Sequence, residues 1–287
     1  MRLRLILGAL AAAGAIGFAC GGGVLMTLPS PGFPAVHGHR GASAVAPENT
    51  LAAFRRAIEM GADALEMDLQ LTKDGAVVVV HDATLERTTD RSGRIADLTL
   101  AEVQQADAGI KKGPAYRGER IPTLDQVIEL VQAIGGGRVR LNLELKYHVQ
   151  GTPPPDLERA ALAVLRRAGF TAQVFLQSFQ HAVLPRLTAL EPGIPTGVLV
   201  GRRDAPRDAV ALVRQFQATY LAPEFRLVTG PLVSALHAAG IPVVAWTVNE
   251  PAEMQRLLAD GVGRLAGDGI ISDHPDRLVA LRGAGGR

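Results

Sequence analysis

From Ala35 onward the chain alternates short runs of β-favouring residues with amphipathic helical stretches, and this rhythm constrains the fold more than any other feature. The β-type runs fall at about 35–39, 63–69, 139–145, 173–177, 196–200, 219–222, 242–247 and 269–272. Helical patterns lie near 48–60, 123–134, 156–168, 181–190, 206–217, 229–239 and 251–260. Two parallel strands need a crossover between them, and a helix that packs on the sheet supplies it, so this alternation predicts an α/β fold with a parallel sheet. Eight such strands predict a (β/α)8 TIM barrel whose interior is filled by side chains. An open, doubly wound sheet is the alternative. No Gly-x-Gly-x-x-Gly follows the first strand, which weighs against it.

One interval breaks the rhythm. Some 70 residues separate the second and third barrel strands. They begin with Lys73-Asp74-Gly75, a tight-turn signal between Leu69-Gln70-Leu71-Thr72 and Ala76-Val77-Val78-Val79-Val80. A hairpin here brings His81 back opposite Met67 and Asp68. The stretch from Thr84 to Arg120 is polar, with a short helix near Leu100–Ala106, and Thr99 and Thr123 stand where N-caps belong. The expectation is a small insertion after the second barrel strand, at about 70–122, capping the barrel mouth.

The chain has 287 residues, 47% hydrophobic and 20% charged, as expected of a globular protein with a sizeable core. A formal net charge of +2 with interspersed signs gives no argument for nucleic acid as a partner. The single cysteine, Cys20, excludes an internal disulfide and a multi-cysteine zinc site. Any metal must then be held by carboxylates, carbonyls, histidines or water, and an oxygen-rich site points to calcium or magnesium.

The N-terminal segment reads as a separate element. Arg2 and Arg4 precede an uncharged run from Leu5 to Met26, the pattern of an export signal. As a helix such a run reaches roughly 33 Å, enough to span a bilayer. Residues 1–26 are therefore expected to be an uncleaved membrane anchor or a cleaved signal peptide, with lipid-modified Cys20 and a buried soluble helix as further alternatives. The barrel would then be exported, and either anchored in the membrane or released outside it. Residues 27–34, with three prolines, read as a stiff linker, residues 35–280 as the barrel, and 281–287 as a disordered tail.

The chemistry concentrates at strand ends. Glu66 and Asp68 are two apart on a strand, so they share a face, and in a barrel that face is the lumen. Two lumenal carboxylates repel, and each keeps a proton unless a cation satisfies both. Asn142, Glu144 and Lys146 alternate with leucines in the same way, so Glu144 can complete a three-carboxylate site and Lys146 can meet a phosphate oxygen. His39 and His81 are the candidate acid and base, since imidazole exchanges protons at low cost near neutral pH. Arg40 offers a bidentate fork to phosphate. His37 lies deeper in the barrel and reads as structural. Glu48 and Asn49, ahead of the helix from Leu51, are expected to orient His39 or Arg40. Trp246 is either a wall of the substrate pocket or core packing, and Asp273 is expected to cap the region around Pro275.

Taken together, His39-Arg40-Gly41, Pro47-Glu48-Asn49-Thr50, Glu66-Met67-Asp68, Gln70 to Gly75, His81-Asp82, Glu144-Leu145-Lys146, Ser178-Phe179 and Ala245 to Asn249 resemble the glycerophosphodiester phosphodiesterase family. The resemblance covers about 36–275. It implies a TIM barrel of the phospholipase C-like type, with a divalent cation, calcium or magnesium, on Glu66, Asp68 and Glu144. It implies His39 and His81 as general acid and base, and Arg40 and Lys146 at the phosphate. The implied reaction hydrolyses a glycerophosphodiester to sn-glycerol 3-phosphate and an alcohol. A lysophospholipid substrate, a phospholipase D-like or sphingolipid lyase activity on the same barrel, and a non-catalytic lipid-binding module are the competing readings.

Overall fold

The computed structural model describes residues 32–148 and 156–284. Eight parallel strands form the barrel: β1 (Ala35–His39), β2 (Ala64–Leu71), β4 (Arg140–Leu145), β5 (Val174–Ser178), β6 (Thr196–Val200), β7 (Tyr220–Pro223), β8 (Val244–Ala245) and β9 (Gly269–Ser272). Their spatial order is β7-β6-β5-β4-β2-β1-β9-β8. Parallel bridges Leu221–Val243 and Glu224–Trp246 join β7 to β8 and close the cylinder. The short strand β3 (Val77–Val79) lies off this path and pairs antiparallel with β2, Leu69 facing Val79. That register continues through Val80 N–H to the Asp68 carbonyl at 2.9 Å, which sets His81 opposite Met67 as the hairpin geometry predicts.

The period of two along each strand divides inside from outside. On β2, Leu65, Met67 and Leu69 point outward into a continuous core beneath the helices, and on β4 Leu141, Leu143 and Leu145 do the same. Glu66, Asp68, Asn142 and Glu144 therefore face the lumen, and all four are buried. The lumen itself is two-sided. β1, β2 and β4 line it with His37, His39 and the acids. The later strands fill the other side with Phe175, Leu199, Tyr220, Ala222, Val244 and Ile271, against which Trp246 packs. Gly197 is needed for this packing, because a Cβ there would fall 2.1 Å from the Tyr220 ring.

The outer ring is α1 (Leu51–Glu59), α3 (Leu124–Ile134), α4 (Asp156–Arg167), α5 (Leu184–Leu190), α6 (Ala209–Gln215), α7 (Gly230–Ala238), α8 (Pro251–Asp260) and α9 (Pro275–Ala284). Thr50 caps α1 by accepting from the Ala53 N–H, and Thr123 with Gln126 forms a capping box on α3. The helix α9 corrects the sequence reading, which ends the barrel at 280 and assigns 281–287 to a disordered tail. Its weak amphipathic pattern hides it, but Leu278 is fully buried, Val279 and Leu281 pack on the core, and Arg282 pairs with Asp63. Residues 285–287 lie outside the described residues. So do 1–31, and with them the N-terminal segment 1–26 and the first five positions of the linker. Among the described residues no helix is long and apolar enough to cross a membrane.

The insertion after β2 carries β3 and the helix α2 (Leu100–Val103), capped by Thr99 and Glu102. It has a small core of its own, including Val78, Val80, Leu85, Ile95, Val103 and Ile121. The Tyr116 hydroxyl donates to the Val45 carbonyl at 2.7 Å, and Lys112 Nζ donates to the Ser43 and Ala44 carbonyls at 2.6 and 2.9 Å. These contacts fasten the insertion to the turn that follows β1.

Candidate active site

The barrel strands present their side chains in register at the C-terminal ends. His39 is level with Glu66, and Asp68 is level with Glu144. One carboxylate oxygen from each of Glu66, Asp68 and Glu144 lies within 4.8 Å of the other two, and all three residues are buried. Burial, opposed by His39 but reinforced by the charge of Asp68, pushes Glu66 up to about 7. Burial and then Asp68 push Glu144 up to about 8. Asp68 goes the other way. Burial favours its neutral form, but the charges of Arg40, Lys146 and His81 outweigh it and lower its pKa.

This donor set fits a divalent cation. Three buried carboxylates share one small volume, burial and mutual repulsion raise the pKa of two of them, and a cation would relieve that repulsion. Asp68 Oδ1, fully enclosed, finds no hydrogen-bond donor among the described residues, and Lys146 Nζ stops 3.7 Å away.

Each histidine is gripped at Nδ1 by a carboxylate. His39 Nδ1 lies 2.6 Å from Asp273 Oδ1, which leaves Nε2 facing Glu66 Oε2 at 4.0 Å. Burial alone would lower the His39 pKa, but the Asp273 hydrogen bond and the Glu66 charge raise it. His81 Nδ1 lies 2.6 Å from Asp82 Oδ1. Here burial, with the charges of Arg40 and Lys146, outweighs Asp68 and Asp82, and the pKa is lowered. The His81 loop is pinned from below by Gln70, whose Nε2 donates to the carbonyls of Val80, His81 and Asp82 at 2.9, 3.1 and 2.7 Å.

Two cations border the carboxylates. Arg40 adopts a left-handed backbone, φ +54°, which aims its N–H at Glu66 Oε2 at 3.0 Å. Its Nη1 meets Glu48 Oε1 at 2.8 Å and its Nε approaches Asp68 Oδ2 at 3.2 Å. Lys146 Nζ meets Glu144 Oε1 at 2.9 Å. His39, Arg40, Glu66, His81, Glu144 and Lys146 all line one cleft of about 100 Å³, whose opposite wall is Phe179, Leu199, Trp246 and Ile271. Trp246 Nε1 donates to the Ala222 carbonyl at 2.8 Å, and its ring meets Phe179 edge-on at 5.5 Å, so Trp246 is both pocket wall and packed core.

The profile of the glycerophosphoryl diester phosphodiesterase family matches residues 39–277. The chain belongs to that family. A glycerophosphodiester phosphodiesterase of Caldanaerobacter subterraneus subsp. tengcongensis is 38% identical over 248 residues, which span 86% of this chain and 97% of that protein. A glycerophosphodiester phosphodiesterase of Bacillus subtilis is 31% identical over 257 residues, covering 83% of each. The structure of an Oleispira antarctica phosphodiesterase in complex with the product sn-glycerol-3-phosphate is similar at TM-score 0.78 and 33% identity, over 88% of this chain and 97% of that one.

Within this phosphodiesterase-family barrel, the structure brings His39, His81, Glu66, Asp68, Glu144, Arg40, Lys146 and Trp246 to one cleft or its edge. Glu48 holds Arg40, as the sequence suggests. Asn49 holds the Arg40 backbone, its N–H donating to the Arg40 carbonyl at 3.0 Å, and its side chain braces Asp68: Nδ2 donates to Asp68 Oδ2 at 2.8 Å and Oδ1 accepts from the Asp68 N–H at 3.4 Å. Sequence reasoning also missed the role of Asp273. In place of capping near Pro275, it accepts from His39, from Ser43 Oγ at 2.7 Å and from Asn249 Nδ2 at 2.6 Å. The cause is the pairing of β9 with β1, which sets Gly38 beside Ser272. The available signal was an acid directly after the last barrel strand.

Proposed function

We propose that this chain is a metal-dependent phosphodiesterase that hydrolyses glycerophosphodiesters to sn-glycerol 3-phosphate and an alcohol. The observation that carries this reading is the convergence of the Glu66, Asp68 and Glu144 carboxylates with two carboxylate-held imidazoles and two cationic side chains in one cleft. The family membership and the product complex of the Oleispira antarctica relative support it.

Glu66, Asp68 and Glu144 would hold calcium or magnesium, hard cations suited to carboxylate oxygen. When bound, such an ion supplies Lewis-acid polarisation of the phosphoryl group and offsets its charge. Arg40 presents donors, and Lys146 a mobile ammonium, to the remaining phosphoryl oxygens as charge builds on them. Of His39 and His81, one takes the proton of the nucleophile and the other gives a proton to the departing alkoxide. Asp273 and Asp82 keep each ring turned so that Nε2 is the atom that exchanges the proton. The nucleophile is a water or the neighbouring glycerol hydroxyl, the second route passing through a cyclic phosphate. Phe179 and Trp246 give the far wall an apolar face for the substrate. We further place the barrel outside the cytoplasmic membrane, on the strength of the Arg2/Arg4 and apolar pattern of residues 1–26.

The test is a panel of glycerophosphodiesters differing in head group, assayed with and without a chelator and scored for glycerol 3-phosphate. Release that a chelator abolishes and calcium or magnesium restores is expected. A stable cyclic phosphate as sole product would favour a lyase, and no turnover with any head group or metal would end the enzymatic reading.

A further inference from the structure

The insertion reaches the site through Arg87, a residue that touches none of the three metal-facing carboxylates. Its guanidinium makes four hydrogen bonds to two acids. Nε and Nη2 donate to Asp82 Oδ2 and Oδ1 at 2.6 and 3.1 Å. Nη1 and Nη2 donate to Glu48 Oε2 and Oε1 at 2.7 Å each. The same two acids hold the reacting side of the site: Asp82 Oδ1 grips His81 Nδ1, and Glu48 Oε1 grips Arg40 Nη1 at 2.8 Å. The result is an unbroken chain His81–Asp82–Arg87–Glu48–Arg40 that spans the cleft from the β3 side to the β1 side.

We propose that Arg87 is a positioning residue that locks the His81 arm and the Arg40 arm into one geometry, so that the insertion sets the spacing between the proton-exchanging imidazole and the phosphate-holding fork. This inference rests on the phosphodiesterase reading and deepens it. Without Arg87, Asp82 and Glu48 lose the cation between them. Among the described residues, Asp82 then keeps its side-chain pairing with His81 and Glu48 its pairing with Arg40, and the side-chain link between the two pairs is lost, leaving their spacing to the backbone contacts of the insertion. Misplacement of about 1 Å in a reacting group can cost on the order of a hundredfold in rate. The side chain is 47% exposed and belongs to neither the barrel core nor the core of the insertion, so removing it opens no cavity in either. Its loss should therefore be felt in turnover while the fold survives. Lysine is a poor substitute, because a single ammonium cannot place two parallel donors on each of two carboxylates.

The experiment uses the full chain with added divalent cation and glycerophosphocholine as substrate. Arg87→Ala is expected to lower kcat by about 10- to 100-fold, with a thermal midpoint close to wild type. Arg87→Lys should recover little of the loss. Added guanidinium ion, well below its denaturing range, should restore part of it, since the vacated position opens to solvent. In a background of Asp82→Asn and Glu48→Gln, Arg87→Ala should cause almost no further loss, because its two points of action are already gone. An unchanged kcat in Arg87→Ala would overturn the proposal, and so would a full-sized loss in the doubly substituted background. A wild-type chain without turnover would end the functional reading and this inference together. An active wild type with a normal Arg87→Ala variant would end this inference alone.

Discussion

His39 and Asp273 stand 234 residues apart in the chain and 2.6 Å apart in the barrel. β1 and β9 make this contact by pairing along four residues, Ala35 with Gly269 through Gly38 with Ser272. Asp273 accepts the hydrogen bond of His39 Nδ1–H and, as a carboxylate, stabilises the imidazolium. Asp273→Asn should therefore lower kcat roughly 10- to 100-fold with little change in KM. It should also lower the His39 pKa, so that the limb of the rate profile set by the imidazolium retreats to more acidic pH. Stopped turnover measured from pH 5 to 9 checks both effects, and an unshifted profile would count against the pairing.

The two imidazoles and the three carboxylates should separate cleanly by what their loss removes. His39→Ala and His81→Ala are each expected to lower kcat by ~10² or more while calcium still binds. Titration calorimetry on the inactive variants reads the binding, and near-normal turnover in either would refute the acid–base assignment.

Glu144→Gln tests the acidic trio directly. It keeps the shape, removes the carboxylate, and turns the 2.9 Å contact with Lys146 from a charged pair into a neutral hydrogen bond. Metal affinity should fall by at least tenfold, and activity should recover as metal is raised. A variant that needs no extra metal would exclude Glu144 as a ligand.

His37 offers a test of stability independent of catalysis. Burial lowers its imidazole to about 4, and the neutral ring packs beside Asn142 and Phe175. The unfolded chain binds this proton near pH 6.5 and the folded chain does not, so stability falls as pH drops from about 6.5 towards 4. Above pH 6.5 both states are neutral and the contribution is flat. The loss amounts to about 3 kcal/mol across the window. Urea unfolding of His37→Gln should show an acid limb shallower by up to that amount. Parallel curves for variant and wild type would mean that His37 does not titrate this way.

The legible parts of this protein are those where local pattern and global fold say the same thing. Glu66 and Asp68 between Leu65, Met67 and Leu69 announce a strand buried on both faces with acids inside, and the structure has it so. The Lys73-Asp74-Gly75 turn was enough to set His81 opposite Met67. The last helix was not legible, because Gly283 and a mixed pattern weaken its signal and it is held by burial of Leu278 and the Arg282–Asp63 pair. Asn49 does reach Arg40, its N–H donating to the Arg40 carbonyl at 3.0 Å, but its side-chain partner was not legible, because a left-handed backbone, φ +57°, turns the amide to Asp68.

Periodicity is written into neighbouring residues, so the sequence by itself determined the strands, the ring helices before the last, the lumenal direction of the acids and the chemical kind of the site. Closure of the barrel decided the rest. Only when β9 lies against β1 does Asp273 reach His39, and only when the insertion folds back on the first turn does Arg87 join Asp82 to Glu48. Those partners are selected by distance in space, which a linear pattern does not encode.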